Sequence, residues 1–201
     1  MNASTLLQQQ SELVQAQLHT LDQLTRDLTP AQLAWQPAPG KWSILECIEH
    51  LNLAMAPYLR EMNTVLPTAP QGSVPTFRSG FWGKRLPKMF QPKSTGRIKW
   101  KMKTMARFQP QVSPEDHARV LTDFRAQVAQ LSGFIADAEK LDLNRARIVS
   151  AIGSWLKFRL GDAFRFVTAH NARHLQQAQG VREMMESSAA KGHDAPLAAS
   201  L

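Results

Sequence analysis

Apolar residues recur at spacings of three and four along four segments of the chain, and this periodicity restricts the fold more than any other feature. The segments span about residues 4–28, 43–66, 113–135 and 162–185. Because 3.6 residues complete a helical turn, each segment predicts an amphipathic helix with one buried stripe. The sequence shows no strand pattern of comparable strength and no internal repeat. We therefore expect an all-α protein folded as an antiparallel four-helix bundle.

Local signals predict where two of these helices begin. Ser43 is followed three residues later by Glu46, the spacing of a capping box in which each side chain bonds the other residue's amide. Ser113 precedes Pro114, which fits the first helical position, and two acids follow in the positively polarised first turn. Residues 141–161 are predicted to form the connection to the last helix.

Length and composition indicate one domain. The chain has 201 residues, 43% of them hydrophobic, and is long enough to bury a core. We expect a single domain over residues 1–186 and a flexible polar tail over residues 187–201. No apolar run reaches the roughly 18 residues that span a bilayer, and no secretory signal begins the chain. Together with the single cysteine, Cys47, these features predict a cytoplasmic protein.

The net charge of +8 comes from one segment. Between Glu61 and Glu115 there is no acidic residue, whereas ten Lys and Arg residues lie from Arg78 to Arg107. The other 14 basic and 16 acidic residues nearly cancel. The segment belongs to a Pro- and Gly-rich insertion, about residues 67–110, which we predict to be irregular with short helical turns. Because the charge is local, it does not identify the whole chain as a nucleic-acid-binding protein.

The insertion also carries large aromatic side chains, which allow two interpretations. These residues are Phe77, Phe81, Trp82, Phe90, Trp100 and Phe108. In the interpretation that we favour, they pin the insertion over the open end of the bundle while the charges face water. The insertion then walls a pocket, where an Arg or Lys can attract an anionic co-substrate. In the second interpretation, the insertion binds an anionic membrane surface or nucleic acid.

Two histidines on the last helix indicate a metal site. His170 and His174 lie one turn apart near the centre of the apolar face. Two buried imidazoles need partners, because each unpaired group costs roughly 1–3 kcal/mol, and one divalent ion satisfies both. A third ligand must come from another helix, and His50 can lean across from the second helix. Two alternatives stay open: His50 is an exposed or half-buried polar residue, or the histidines bond to one another and to water without a metal.

Four further residues are weaker candidates. His117 lies in phase with the stripe of the third helix and is either a fourth ligand or base, or a residue at the solvent-facing end of the bundle. Cys47 can add a sulfur ligand, although burial as a small apolar residue is its commoner role. Glu46 is expected to serve as the cap partner of Ser43. Arg173 points about 80° or more away from the histidine face and is expected at the surface or an interface.

Two parts of the sequence resemble the DinB/YfiT-like metal-binding superfamily. The motifs are KWSI (41–44) followed by EHL (49–51), and LGDA (160–163) followed by AHNARH (169–174). The resemblance covers about residues 4–66 and 110–186, and the basic insertion is its less typical part. It implies a four-helix bundle of down-up-up-down type in which His50, His170 and His174 hold a divalent metal ion.

The resemblance also implies a chemistry. Members of the superfamily conjugate or isomerise with low-molecular-weight thiols, as in bacillithiol S-transferases and mycothiol-dependent maleylpyruvate isomerase. Zinc or nickel is the expected ion, with iron and manganese as alternatives. Three imidazoles leave a coordination position open, where an ion lowers the pKa of water to about 7 or holds a thiol as its thiolate. We therefore expect an enzyme, a thiol S-transferase or hydrolase, acting on a small-molecule or thiol substrate.

A non-catalytic role is the alternative. In that case the chain is a cytoplasmic bundle whose metal is absent or structural and whose basic insertion binds a polyanion. A homodimer is compatible with either function, although no surface stripe in the sequence identifies an interface.

Overall fold

The computed structural model describes residues 1–72, 74–90 and 104–193, which are mainly helical. The helices are α1 (Ala3–Thr25), α2 (Pro30–Leu33), α3 (Ile44–Val65), α4 (Phe81–Phe90), α5 (His117–Asp137) and α6 (Leu160–His193), and the strands are β1 (Arg147–Ser150) and β2 (Gly153–Arg159). Short 3-10 turns cover Leu66–Thr68, Ala106–Phe108, Pro114–Asp116 and Ala138–Lys140. The four long helices predicted from the periodicity correspond to α1, α3, α5 and α6.

Side-chain caps begin α3 and the turn before α5. The Ser43 hydroxyl accepts a hydrogen bond from the amide of Glu46 at 3.1 Å, and the Glu46 carboxylate accepts from the amide of Ser43 at 2.7 Å. The predicted capping box is therefore confirmed. At the turn that leads into α5, the carboxylate of Asp116 accepts from the amide of Ser113 at 2.9 Å. These bonds satisfy amides that have no partner within the helix.

The four long helices pack around one apolar core. Both α1 and α3 contact α5 and α6, so α1 and α3 lie diagonally across the bundle. Leu21, Ile48, Phe124 and Phe164, one from each long helix, are among the residues buried between them. This packing confirms the predicted four-helix bundle. It also places α3 beside α6, which positions the candidate site described below.

The connection between α5 and α6 contains a β-hairpin, which the sequence analysis did not predict. β1 and β2 pair antiparallel, with Ile148 opposite Phe158. Along β2, Leu156 and Phe158 are buried whereas Trp155 and Lys157 are exposed. This alternation has the period of a half-buried strand, but it is so short that it gives a weak signal beside the helical stripes. Two short strands leave the fold class all-α.

Part of the basic insertion forms the helix α4, which docks on the first turn of α6. Asp162 is fully buried there and accepts hydrogen bonds from the Ser79 hydroxyl and, at 2.8 Å, from the Gly80 amide. Gly83 approaches so closely that a Cβ atom on it would lie 1.9 Å from Cγ of Asp162. Burial raises the pKa of Asp162, and the hydrogen bonds and the nearby Arg165 oppose that rise. The beginning of α4 is thus fixed to the beginning of α6.

Three aromatic residues at the described start of the insertion, Phe77, Phe81 and Trp82, differ in exposure. Phe77 is buried and lies against Gly161, as expected for a side chain that pins the insertion to the bundle. Phe81 and Trp82 are 61% and 42% exposed, which does not fit that interpretation. Residues 91–103, with an aromatic residue and five of the ten basic ones, lie outside the described residues. The second interpretation of the insertion therefore stays open.

The last helix is longer than predicted. It begins at Leu160 and continues to His193, whereas the sequence analysis placed its end near Met185. Residues 187–193 of the predicted tail belong to this helix, and residues 194–201 lie outside the described residues. Within the ranges that the structure describes, none of the helices has the length and apolar character needed to cross a membrane.

Candidate metal centre

Three histidines from two helices meet inside the bundle. His50 extends from α3, His170 and His174 extend from α6, and their ligand atoms all lie within 4.8 Å of one another. The ring centroids are 4.5 Å apart for His50 and His174 and 4.7 Å apart for His170 and His174. His50 and His174 are buried and His170 is half-buried. The structure thus brings together the three residues predicted as metal ligands, while their binding of a metal stays a prediction.

Hydrogen bonds define which nitrogen of two rings is available. Nδ1 of His50 lies 2.8 Å from the carbonyl oxygen of Phe108, and Nδ1 of His174 lies 3.0 Å from Oε1 of Gln177. Because both partners are acceptors, each Nδ1 carries the proton and donates it. In a neutral imidazole the other nitrogen, Nε2, then has its lone pair free for a metal. Such bonds orient the ligating histidines of many metal sites.

Burial keeps the three rings neutral. It lowers the pKa of His174 to about 3 and lowers that of His50, where the bond to Phe108 opposes the effect. The pKa of His170 falls well below its usual value, first through burial and then through the neighbouring rings and Arg173. Neutral imidazole is the form that binds a metal ion, so the cluster is ready to bind at neutral pH.

Aromatic rings enclose the cluster on two sides. Trp42, just before the cap of α3, lies with its ring centroid 4.8 Å from that of His50 and 5.9 Å from that of His174. Phe166, one turn before His170, stacks on it at 6.2 Å with an angle of 19°. Phe158 of β2 stacks in turn on Phe166 at 5.2 Å. The hairpin therefore supports the ring that borders the cluster.

The weaker candidates lie elsewhere. Nδ1 of His117 donates to the carbonyl of Pro114 in its own turn at 3.0 Å, and His117 is not part of the three-histidine cluster. Cys47 is buried outside the cluster, and burial raises the pKa of its thiol far above the usual range. Glu46 is occupied by its cap. Arg173 is half-buried rather than at the open surface, and its charge lowers the pKa of both histidines of α6.

The donor set fits a divalent transition metal. Imidazole nitrogens bind zinc, nickel and iron, at about 2.1 Å for zinc, so three of them on one ion lie about 3–3.5 Å apart. Side-chain adjustments of about 1 Å bring the nitrogens to that spacing. Three such ligands leave at least one coordination position open. The cluster therefore has the composition of a catalytic metal site.

Most of the chain matches one protein family. Residues 12–178, which include all three histidines, match a profile of the DinB superfamily. The chain belongs to the DinB superfamily. Its fold is similar to that of YfiT from Bacillus subtilis, with a TM-score of 0.54, 12% identity and coverage of 90% of this chain and 87% of that chain. YfiT is described as "a probable metal-dependent hydrolase with an unusual four-helix bundle topology". No curated protein matches this chain.

Membership of the DinB superfamily confirms the resemblance proposed from the sequence, but three contacts of the site escaped the sequence analysis. Gln177 lies three residues after His174 on the same helix, and residues at this spacing are neighbours on the helix surface. This contact could therefore have been predicted from the sequence. Trp42 precedes the α3 cap, and its position beside the cap gave no indication of contact with the histidines. Phe108 contributes a backbone carbonyl from 58 positions beyond His50, and no side-chain pattern identifies such a contact.

Proposed function

We propose that this protein is a metal-dependent enzyme that activates water or a low-molecular-weight thiol toward a small substrate. His50, His170 and His174 would hold one divalent ion, zinc or nickel. The observation that carries the proposal is a buried cluster of three neutral imidazoles. In two of them Nδ1–H donates a hydrogen bond to an oxygen atom, which leaves Nε2 free. When bound, such an ion acts as a Lewis acid and lowers the pKa of water or of a thiol.

The surrounding residues have distinct tasks in this proposal. The Phe108 carbonyl and the Gln177 side chain hold two of the rings in orientation, so that Nε2 remains available. Trp42 and Phe166 pack against the rings and exclude bulk water from those sides. Exclusion of water strengthens every electrostatic interaction with a reacting group. The substrate therefore approaches from a side that these rings leave uncovered.

Hydrolysis and thiol transfer share the same three ligands, so the two reactions must be separated by assay. The description of YfiT as a "probable metal-dependent hydrolase" supports hydrolysis in a protein of the same fold. The resemblance to thiol-dependent relatives supports transfer of a thiol to an electrophile. In both reactions His50, His170 and His174 would hold the ion, and the ion would activate the nucleophile.

The first experiment measures metal content. The full chain, purified without a nickel column, should contain about one equivalent of a divalent transition metal, and His170→Ala should lose most of it. His19→Ala removes an exposed histidine outside the cluster and should keep the metal. A wild-type content of less than about a tenth of an equivalent, unchanged by His170→Ala, refutes the metal site.

The second experiment tests catalysis. The metal-loaded protein is incubated with an activated ester, and separately with an electrophile and a panel of low-molecular-weight thiols. Turnover that a chelator abolishes and added metal restores supports the enzyme, and the productive mixture identifies the reaction class. Stoichiometric metal without turnover in either mixture favours the non-catalytic bundle instead.

A further inference from the structure

Three exposed aromatic side chains gather where α4 meets the hairpin. Phe81 and Trp82 begin α4 and are 61% and 42% exposed, and Trp155 of β2 is 72% exposed. The ring centroids lie 5.1 Å apart for Phe81 and Trp82 and 6.1 Å apart for Trp82 and Trp155. Single exposed apolar residues are ordinary, but a contiguous group of large rings commonly marks an interaction site. We call this group the aromatic cluster.

The aromatic cluster is surrounded by positive charge. Lys84, Arg85 and Lys88 of α4 and Lys157 of β2 are exposed, and the Arg85 guanidinium lies over the Phe81 ring at 4.5 Å. The described residues 74–90 and 143–161, which build this face, contain no acidic residue. Asp162, which follows directly, is completely buried beneath α4. This face therefore complements an anionic partner.

The structure holds the rings in fixed positions on the surface. The contacts of Asp162 with the Ser79 hydroxyl and the Gly80 amide fix the start of α4, where Phe81 and Trp82 lie. The Trp155 side chain folds over Gly153, where a Cβ atom would lie 2.5 Å from its Nε1. The cluster is thus preorganised, which reduces the entropy cost of binding.

The ring geometry distinguishes between two anionic partners. Nucleic acid bases bind aromatic side chains by stacking on an open ring face. Here the rings of Phe81, Trp82 and Trp155 pack edge to face, at 86° and 75°, and Arg85 covers one face of Phe81. Such packing makes a compact apolar projection rather than a row of stacking faces. Trp and Phe beside Lys and Arg instead suit the interface between lipid headgroups and acyl chains.

We propose that this face binds the surface of an anionic phospholipid bilayer. The aromatic cluster enters the headgroup region, and Lys84, Arg85, Lys88 and Lys157 pair with lipid phosphates and carboxylates. Binding is peripheral, because the apolar area is small and no helix is inserted. The proposal does not depend on the metal site, since none of these side chains belongs to the histidine cluster.

Vesicle sedimentation tests the proposal. The full chain is mixed with phosphatidylcholine vesicles that contain about 30% phosphatidylserine, a fraction that gives a negative surface potential, and with vesicles of phosphatidylcholine alone. Binding to the anionic vesicles alone is the expected result. Trp82→Ser/Trp155→Ser should reduce binding at least about tenfold, because two interfacial anchors are lost, and Lys84→Gln/Lys88→Gln should reduce it about fivefold per charge.

Two matched variants control for general effects. Leu13→Ser/Met184→Ser removes two other exposed apolar side chains, which are 44% and 47% exposed. Arg26→Gln/Lys140→Gln removes two other exposed positive charges. Both should bind as the unsubstituted chain does. Circular dichroism melting of every variant confirms that the fold is retained.

Three outcomes overturn the proposal. The first is absence of binding to the phosphatidylserine vesicles, and the second is equal binding by the aromatic and control variants. The third is binding of a single-stranded oligonucleotide that Trp82→Ser/Trp155→Ser abolishes while vesicle binding persists, which assigns the face to nucleic acid. The conservative variant Trp82→Phe/Trp155→Phe should still bind the anionic vesicles. Brominated lipid should quench its tryptophan emission less than it quenches that of the unsubstituted chain, and this result supports direct contact of Trp82 and Trp155 with the bilayer.

Discussion

The metal-free protein should lose stability as the pH falls below about 6.5, because its three clustered histidines stay neutral in the folded state. In the unfolded chain each imidazole takes up a proton near pH 6.5. In the folded chain burial lowers the pKa of His174 to about 3 and lowers those of His50 and His170 as well. The unfolded state therefore binds more protons. Stability is fully present above pH 6.5 and is lost progressively as the pH falls towards the folded pKa values.

The size of the effect follows from proton linkage. One pH unit below 6.5, a histidine that stays neutral in the fold costs roughly 1 to 2 kcal/mol relative to the unfolded chain. His170 and His174, whose pKa values fall furthest, together lower the free energy of unfolding by about 3 kcal/mol at pH 5.5 relative to its value at high pH. His50 increases this loss. Asp162 has a raised pKa and so contributes with the opposite sign, but only as the pH approaches its carboxyl range.

Urea unfolding of chelator-treated protein at pH 7.5, 6.5 and 5.5 measures this loss. His170→Leu/His174→Leu should flatten the pH dependence, because it removes the two groups that account for most of it. His19→Gln, which replaces an exposed histidine outside the cluster, should retain the wild-type slope. An unfolding free energy that stays constant or rises between pH 7.5 and 5.5 in the wild-type chain would refute the reasoning.

Three further predictions concern the contacts that position the site. Gly83→Ala should destabilise the fold by about 2 kcal/mol or displace α4, because the new Cβ meets Asp162 at 1.9 Å. Its control is Gly133→Ala in α5, which has open space around the new Cβ and should stabilise the fold by up to about 1 kcal/mol. Asp162→Ala should cost about 1–3 kcal/mol in urea unfolding, since the Gly80 amide and the Ser79 hydroxyl both lose their buried acceptor. Tyr58→Phe should cost about 1 kcal/mol by the same measurement, because the hydroxyl of Tyr58 in α3 lies 2.9 Å from the hydroxyl of Ser150 at the end of β1. An unchanged free energy of unfolding would show that this bond makes no net contribution to stability.

The parts of the site that are local in sequence could be predicted, and the parts that depend on packing could not. His170 and His174 are one helical turn apart, so their shared face follows from the period of the helix. His50 is buried against them because α3 packs on α6; its position on the second helix made it one candidate among alternatives, and the resemblance to a family favoured it as the third ligand. Asp162 was recognised only as part of a motif before the last helix. Its partner Ser79 lies 83 positions away, beyond the range of any local pattern.

The hairpin shows a second reason why prediction stopped short. Its strands cover Arg147–Ser150 and Gly153–Arg159, which is too short for alternation to stand out from chance. The tertiary environment supplies what the pattern lacks, because Phe158 is buried against Phe166 while Trp155 faces outward. The helical stripes were predicted correctly since each extends over several turns, and every turn repeats the signal.

The placement of the histidines also gives a bound ion a mechanical role. His50 and His170 stand 120 positions apart in the sequence, so an ion that binds both ties the first half of the chain to its last helix. Because such a site is not preformed in the unfolded chain, the ion would bind the folded state preferentially and would stabilise it by mass action, by about 2.7 kcal/mol when free metal is at 100 times its Kd. Chelation would then lower the free energy of unfolding while leaving the other folded contacts in place.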